Sequence, residues 1–172
     1  AGGEGAVEPF LFPDPDAGEG KTFLRKWDPG GWPTFCGVDL GTSKTQGSDE
    51  TCFFVIAHDP DTNTKQPIWI EVARLTAPEI LTRMVDLHTR YGCLFIVENV
   101  AAQVYLEQFA REKGLLVKGF TTGKNKPDPK YGVASLATEL EAGQWVLPPD
   151  EPELLAWKAE CMNYAVGTHT GD

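Results

Sequence analysis

Two acidic residues are singled out by where they fall. Asp39 closes the apolar run FCGVDL and Glu98 closes CLFIVE, 59 positions later, and each is the first charge after a stretch that reads as buried. If both runs are strands paired in parallel, the two carboxylates leave the sheet at the same end, with backbones roughly 4.8 Å apart. Like charges that close repel, so either one is protonated or a cation lies between them. Oxygen-only ligands favour a hard divalent ion, magnesium or manganese, over zinc. A third carboxylate is then expected after a late helix, and the closing THTGD supplies Asp172. Three acids can hold two ions roughly 3.5–4 Å apart, a spacing suited to phosphodiester hydrolysis.

Each acid also has a plainer reading. Aspartate is common at strand-end turns, and CGVDLGTS could instead cradle a nucleotide's phosphates through its backbone. Glu98 could be an acid favoured by the dipole of a following helix, which is compatible with a metal role. Asp172 could belong to a disordered terminus. Asp49 and Glu50 read as a solvated turn between strands, and His169 as a lone histidine outside the chemistry. The segment TTGKNKPDPK gathers Lys124, Lys126 and Lys130 just after a strand, where positive charge could seat a nucleic-acid backbone beside the acids.

Composition narrows the field. The chain has 172 residues, 41% of them hydrophobic, enough for one substantial core. No run of apolar residues reaches membrane-spanning length, and AGGEGAVEPF lacks a basic-then-apolar leader, so the chain reads as soluble and intracellular. Cys36, Cys52, Cys93 and Cys161 show no C-x-x-C spacing and sit mostly in apolar stretches, which argues against a zinc site or a disulfide framework. A formal charge of -10 opposes a polyanionic partner at long range unless the acids are local and functional.

The elements that must position these residues follow from periodicity. Residues 1–33 are rich in glycine and proline without helical or strand period, and read as an irregular linker or arm. Within them Gly20-Lys21-Thr22 imitates the end of a P-loop, but Pro15 stands where the loop needs glycine, and a solvated loop is the better reading. Residues 34–172 form the domain. FCGVDL, TCFFVIAHD and PIWIEVARL, separated by polar turns, predict three antiparallel strands. APEILTRMVDLHTRYG predicts a helix with Ile80, Leu81, Met84, Leu87, His88 and Tyr91 at helical spacing, and CLFIVE a fourth strand. AAQVYLEQFAREKG, LLVKGF, PKYGVASLATELEAG and EPELLAWKAECMNYAV add a helix, a fifth strand and two helices. A five-stranded mixed α/β sheet results, three antiparallel strands then parallel ones, flanked by helices. That order belongs to the ribonuclease H-like architecture.

The ordered set GVDLGTSKTQGSDETCFFVIAHD, FIVENVAAQ, GFTTGKNKP, GQWVLP and THTGD resembles the C-terminal nuclease domain of the large terminase subunit of tailed bacteriophages, a ribonuclease H and RuvC-like nuclease. The resemblance runs through most of residues 35–172. It implies a metal-dependent endonuclease that cuts concatemeric double-stranded DNA during viral genome packaging. Its metal-binding acids carry over to Asp39, Glu98 and Asp172, holding two Mg2+ or Mn2+ ions, and Lys124 falls on the family's TGK. The resemblance further implies an ATPase motor domain of the same terminase, a portal, a small terminase subunit and action in the host cytoplasm during virion assembly. Residues 1–33 would then span the approach from the motor.

Three rivals come from other classes. The actin, sugar kinase and Hsp70 group has a similar D-L-G-T turn, but it needs a second phosphate loop and two lobes. A RuvC-like Holliday-junction resolvase shares the fold and the acids, and would differ in preferring a four-way junction. An inert interaction domain would bind partners without manganese-dependent cutting.

Overall fold

The polar stretch DPDTNTKQ forms the tip of a hairpin, and its aspartate shapes the turn. One Asp59 carboxylate oxygen accepts from the Asp61 backbone N–H at 3.0 Å and the other from the Thr62 hydroxyl at 2.6 Å. Asn63 takes the left-handed conformation, φ 54°, that asparagine tolerates better than most residues. In the computed structural model, residues 21–22, 31–41, 50–98, 103–120, 133–147 and 152–163 are described. Their strands are β1 (Lys21–Thr22), β2 (Thr34–Asp39), β3 (Thr51–Asp59), β4 (Thr64–Ala73), β5 (Leu94–Glu98) and β6 (Val117–Phe120). Their helices are α1 (Ala77–Tyr91), α2 (Gln103–Glu112), α3 (Val133–Glu141) and α4 (Pro152–Asn163).

The strands make one sheet in the order β1-β4-β3-β2-β5-β6. β2, β3 and β4 are antiparallel neighbours, and β5 and β6 join β2 in parallel, as the order of elements in the sequence predicts. The sheet has one more strand than expected. Lys21–Thr22, inside the stretch read as an irregular arm, pairs with Ile70 and Glu71 on the outer edge of β4. A two-residue strand has no alternation to betray it; β4's exposed hydrogen-bonding groups recruit it. At the other end of that edge, Lys65 N–H donates to Gln144 O at 2.7 Å and Val146 N–H to Lys65 O at 2.9 Å, so both ends of β4 are covered.

β4 also starts three residues earlier than its apolar run, which opens on Pro67. The register shifts between Val55 and Ile56, opposite Trp69 and Pro67, and leaves Ile68 as the extra residue of a bulge. Proline is tolerated there because the ladder is interrupted. The bulge also explains why Ile68 and Trp69, adjacent in sequence, both enter the same core.

That core lies on one face of the sheet, where Cys36, Val38, Phe53, Val55, Phe95 and Val97 meet Ile80, Met84 and Leu87 of α1 and Leu106 and Ala110 of α2. α1 begins at a capping box: the Thr76 N–H and hydroxyl both donate to Glu79 Oε2 at 2.7 Å. It ends at Gly92, φ 62°, whose N–H donates to His88 O at 2.7 Å. On the opposite face α4 covers β3 and β4, with Phe54, Ile70, Leu147, Leu154 and Trp157 in contact, and Glu139 of α3 pairs with Lys65 of β4 at 2.8 Å. The cysteines are free thiols, three of them buried and Cys52 half-buried, in line with their reading as small hydrophobes.

Candidate active site

β2 alternates buried and open residues up to its last position, so Val38 enters the core and Asp39 is exposed on the other face. β5 does the same with Val97 buried and Glu98 half-exposed. In the parallel pairing Val38 lies opposite Val97, which makes Asp39 and Glu98 the next step of the same register. The two acids thus stand on neighbouring strands, at the same strand ends and on the same face, as their spacing in the sequence predicts. Beneath them the apolar layer of Val38, Val97 and Phe53 excludes water from one side.

The chain leaves β2 along a defined path. Gly41 N–H donates to the hydroxyl of buried Thr51 at 3.0 Å, which ties the chain leaving β2 to the start of β3. Cys52 pairs with Asp39 across β2 and β3. Burial, and after it the Asp39 and Glu71 carboxylates, push its thiol up to about 11. At neutral pH the neighbour of Asp39 is therefore a neutral thiol, and the charged donors of this sheet end are oxygens.

On the other side of the acids, Glu98 pairs with Phe120 of β6, an exposed aromatic ring, and Ile96 pairs with Lys118. Glu50 pairs with Arg74 at 3.8 Å on the surface, consistent with a solvated turn residue. Glu71, fully buried on the opposite face of the sheet, meets Arg83 Nε of α1 at 3.1 Å, and Arg83 also reaches Asp86 at 3.6 Å. Neither Glu71 nor Lys118 is singled out by sequence reasoning. Glu71 carries one signal, a lone acid inside the apolar IWIEV, which demands a buried partner.

Asp172, Lys124, Lys126, Lys130, His169 and Asp49 lie outside the described residues. Among the described residues, no group of three or more histidine, cysteine, aspartate or glutamate side chains is gathered to hold a metal ion. The pair Asp39 and Glu98 fits a hard divalent cation by donor chemistry, two carboxylates beside a protonated thiol, and requires further ligands from elsewhere.

No protein-family model matches the chain, and no curated protein sequence matches it. Solved structures do. The large terminase nuclease of thermophilic phage G20c with bound zinc superposes with a TM-score of 0.61 at 19% identity, covering 91% of this chain and 84% of that one. Its magnesium-bound form gives 0.58 at 20% identity, covering 82% and 70%. A Thermus phage large terminase nuclease domain gives 0.56 at 19% identity, covering 86% and 70%. The fold is therefore ribonuclease H-like. Within that class it takes the form seen in the nuclease domains of phage large terminases.

Proposed function

We propose that this chain is a metal-dependent DNA endonuclease domain of the large terminase type, cutting concatemeric double-stranded DNA by phosphodiester hydrolysis. The observation that carries the reading is the parallel pairing of β2 and β5, which sets Asp39 and Glu98 in consecutive register on one exposed face of a nuclease fold. With Asp172 as the third acid, they would hold two divalent cations, Mg2+ or Mn2+. When bound, such ions neutralise the scissile phosphate and lower the pKa of water. The protein's own part is to hold the carboxylates rigidly on strand ends, keep one side of the site dry and present the phosphate in line. Lys124, Lys126 and Lys130 would contact the DNA backbone.

The expected partners are double-stranded DNA, the ATPase motor of the same terminase, the portal and the small terminase subunit, in the host cytoplasm during virion assembly. Among the described residues, no helix is long and apolar enough to cross a membrane.

A plasmid nicking assay with manganese titration tests the reading. Asp39→Asn keeps the shape and removes the charge. Losing a group that merely orients a metal ligand costs about 10–100-fold, so loss of a ligand itself should cost more. Nicking by Asp39→Asn at the wild-type rate would overturn the proposal. Strong preference for a four-way junction over plain plasmid would redirect it to a resolvase.

A further inference from the structure

β2 is the strand that joins the antiparallel half of the sheet to the parallel half, and its fourth residue is Gly37. A glycine weakens a strand interior, since it loses the most backbone freedom on folding and packs no side chain. Nothing among the described residues requires it here. Its φ lies outside the left-handed region, and a Cβ placed on it would meet only the Phe54 backbone oxygen, at 3.9 Å, an ordinary contact. The position is exposed.

The register shows what the gap adjoins. Gly37 pairs with Ile96, and Ile96 with Lys118, so these three form a row across β2, β5 and β6. The row runs on the same face as Asp39, Glu98 and Phe120, two residues behind them. Strand spacing and rise put the Lys118 backbone about 8 Å from that of Glu98, within reach of a lysine side chain. α4 lays Trp157 against Phe54 of β3, ring centroids 5.3 Å apart, and so covers the other half of this face. Gly37, Lys118 and Phe120 stay exposed. The result is a shelf with a gap at Gly37 between Ile96 and Phe54, edged by a cation and leading to two acids.

We infer that this shelf seats the DNA backbone as it enters the site, with Lys118 binding the phosphate beside the scissile one and Gly37 leaving room for the sugar–phosphate chain to lie against the sheet. The inference rests on the nuclease reading of Asp39 and Glu98. Charge complementarity selects the occupant: in a chain of net charge -10, a lysine standing next to the acids matches a polyanion that the acids alone would repel.

The test measures fluorescence anisotropy of a short labelled duplex in calcium over a salt series, together with manganese-dependent plasmid nicking. Lys118→Gln should bind about tenfold more weakly at low salt and flatten the log–log salt dependence by about 0.9, the loss of one phosphate contact. Lys118→Arg should restore both. Gly37→Val should melt at or above the wild-type temperature, because a β-branched residue suits a strand, yet bind and nick less well, with the loss in KM rather than kcat. Wild-type affinity and salt slope in both Lys118→Gln and Gly37→Val overturn the inference. If Gly37→Val melts early, Lys118→Gln and its arginine rescue decide alone. Absence of nicking by the wild type at every manganese concentration overturns the nuclease reading instead, while the anisotropy arm still decides the shelf.

Discussion

Cys52 reports on the acid beside it. Its thiol is pushed up to about 11 by burial first and then by the Asp39 and Glu71 carboxylates, against about 8.5 for an ordinary cysteine. The thiolate therefore forms only as pH rises toward 11, and alkylation of Cys52 by iodoacetamide, followed by peptide mapping, should be slow at pH 8 and accelerate above pH 10. Asp39→Asn removes one of the charges that oppose the thiolate and should move that profile to lower pH. Rapid labelling of the folded wild type at pH 8 would contradict the placement of the two side chains. Asp39 and Glu98 themselves were legible in the sequence, because a first charge after an apolar run marks a strand end. Lys118 and Gly37 were not. One lysine in VKGF and one glycine in CGVD gain meaning only from the register between strands, which no local pattern encodes.

α1 and strands β2, β3 and β5 were legible for the same physical reason, since each buries one face and shows it in its period, whereas β4 and β6 were legible as apolar runs between turns. What escaped was set by neighbours: β1 exists because β4 offers an edge, and β4 reaches back past Pro67 because a bulge absorbs the proline. α1 is tied to β4 by more than apolar contact. Glu71 is fully buried and Arg83 is nearly so, 3.1 Å apart. Arg83→Met removes the ion-pair partner 3.1 Å from a fully buried carboxylate and should cost about 3–5 kcal/mol in urea denaturation, whereas the double variant Glu71→Leu with Arg83→Met should come out near neutral or more stable. A single-variant loss below about 1 kcal/mol would show that the pair does not anchor α1.

Across the whole molecule, charge and topology pull on function in different ways. A net charge of -10 gives the chain little long-range attraction for DNA, so under the proposed function engagement would depend on local cations and on whatever delivers the substrate. The topology was readable from the order of elements, strand after strand and then helix and strand in alternation, which leaves few sheets to consider. Asp172, proposed from the sequence as the third acid, lies outside the described residues.

The pairing of β2 with β5 has a consequence in time. β3 and β4 close across the four-residue turn Pro60–Asn63, while β2 must wait for Leu94 to return beside Phe35. Non-local pairing of this kind pays its loop-closure entropy before any contact rewards it, and forms slowly. Catalytic competence should accordingly be the last property to appear on refolding: after dilution from urea, far-UV circular dichroism is expected to recover ahead of nicking activity, and simultaneous recovery would refute this order. Under the proposed function, a newly made chain would hold both acids before it could cut DNA.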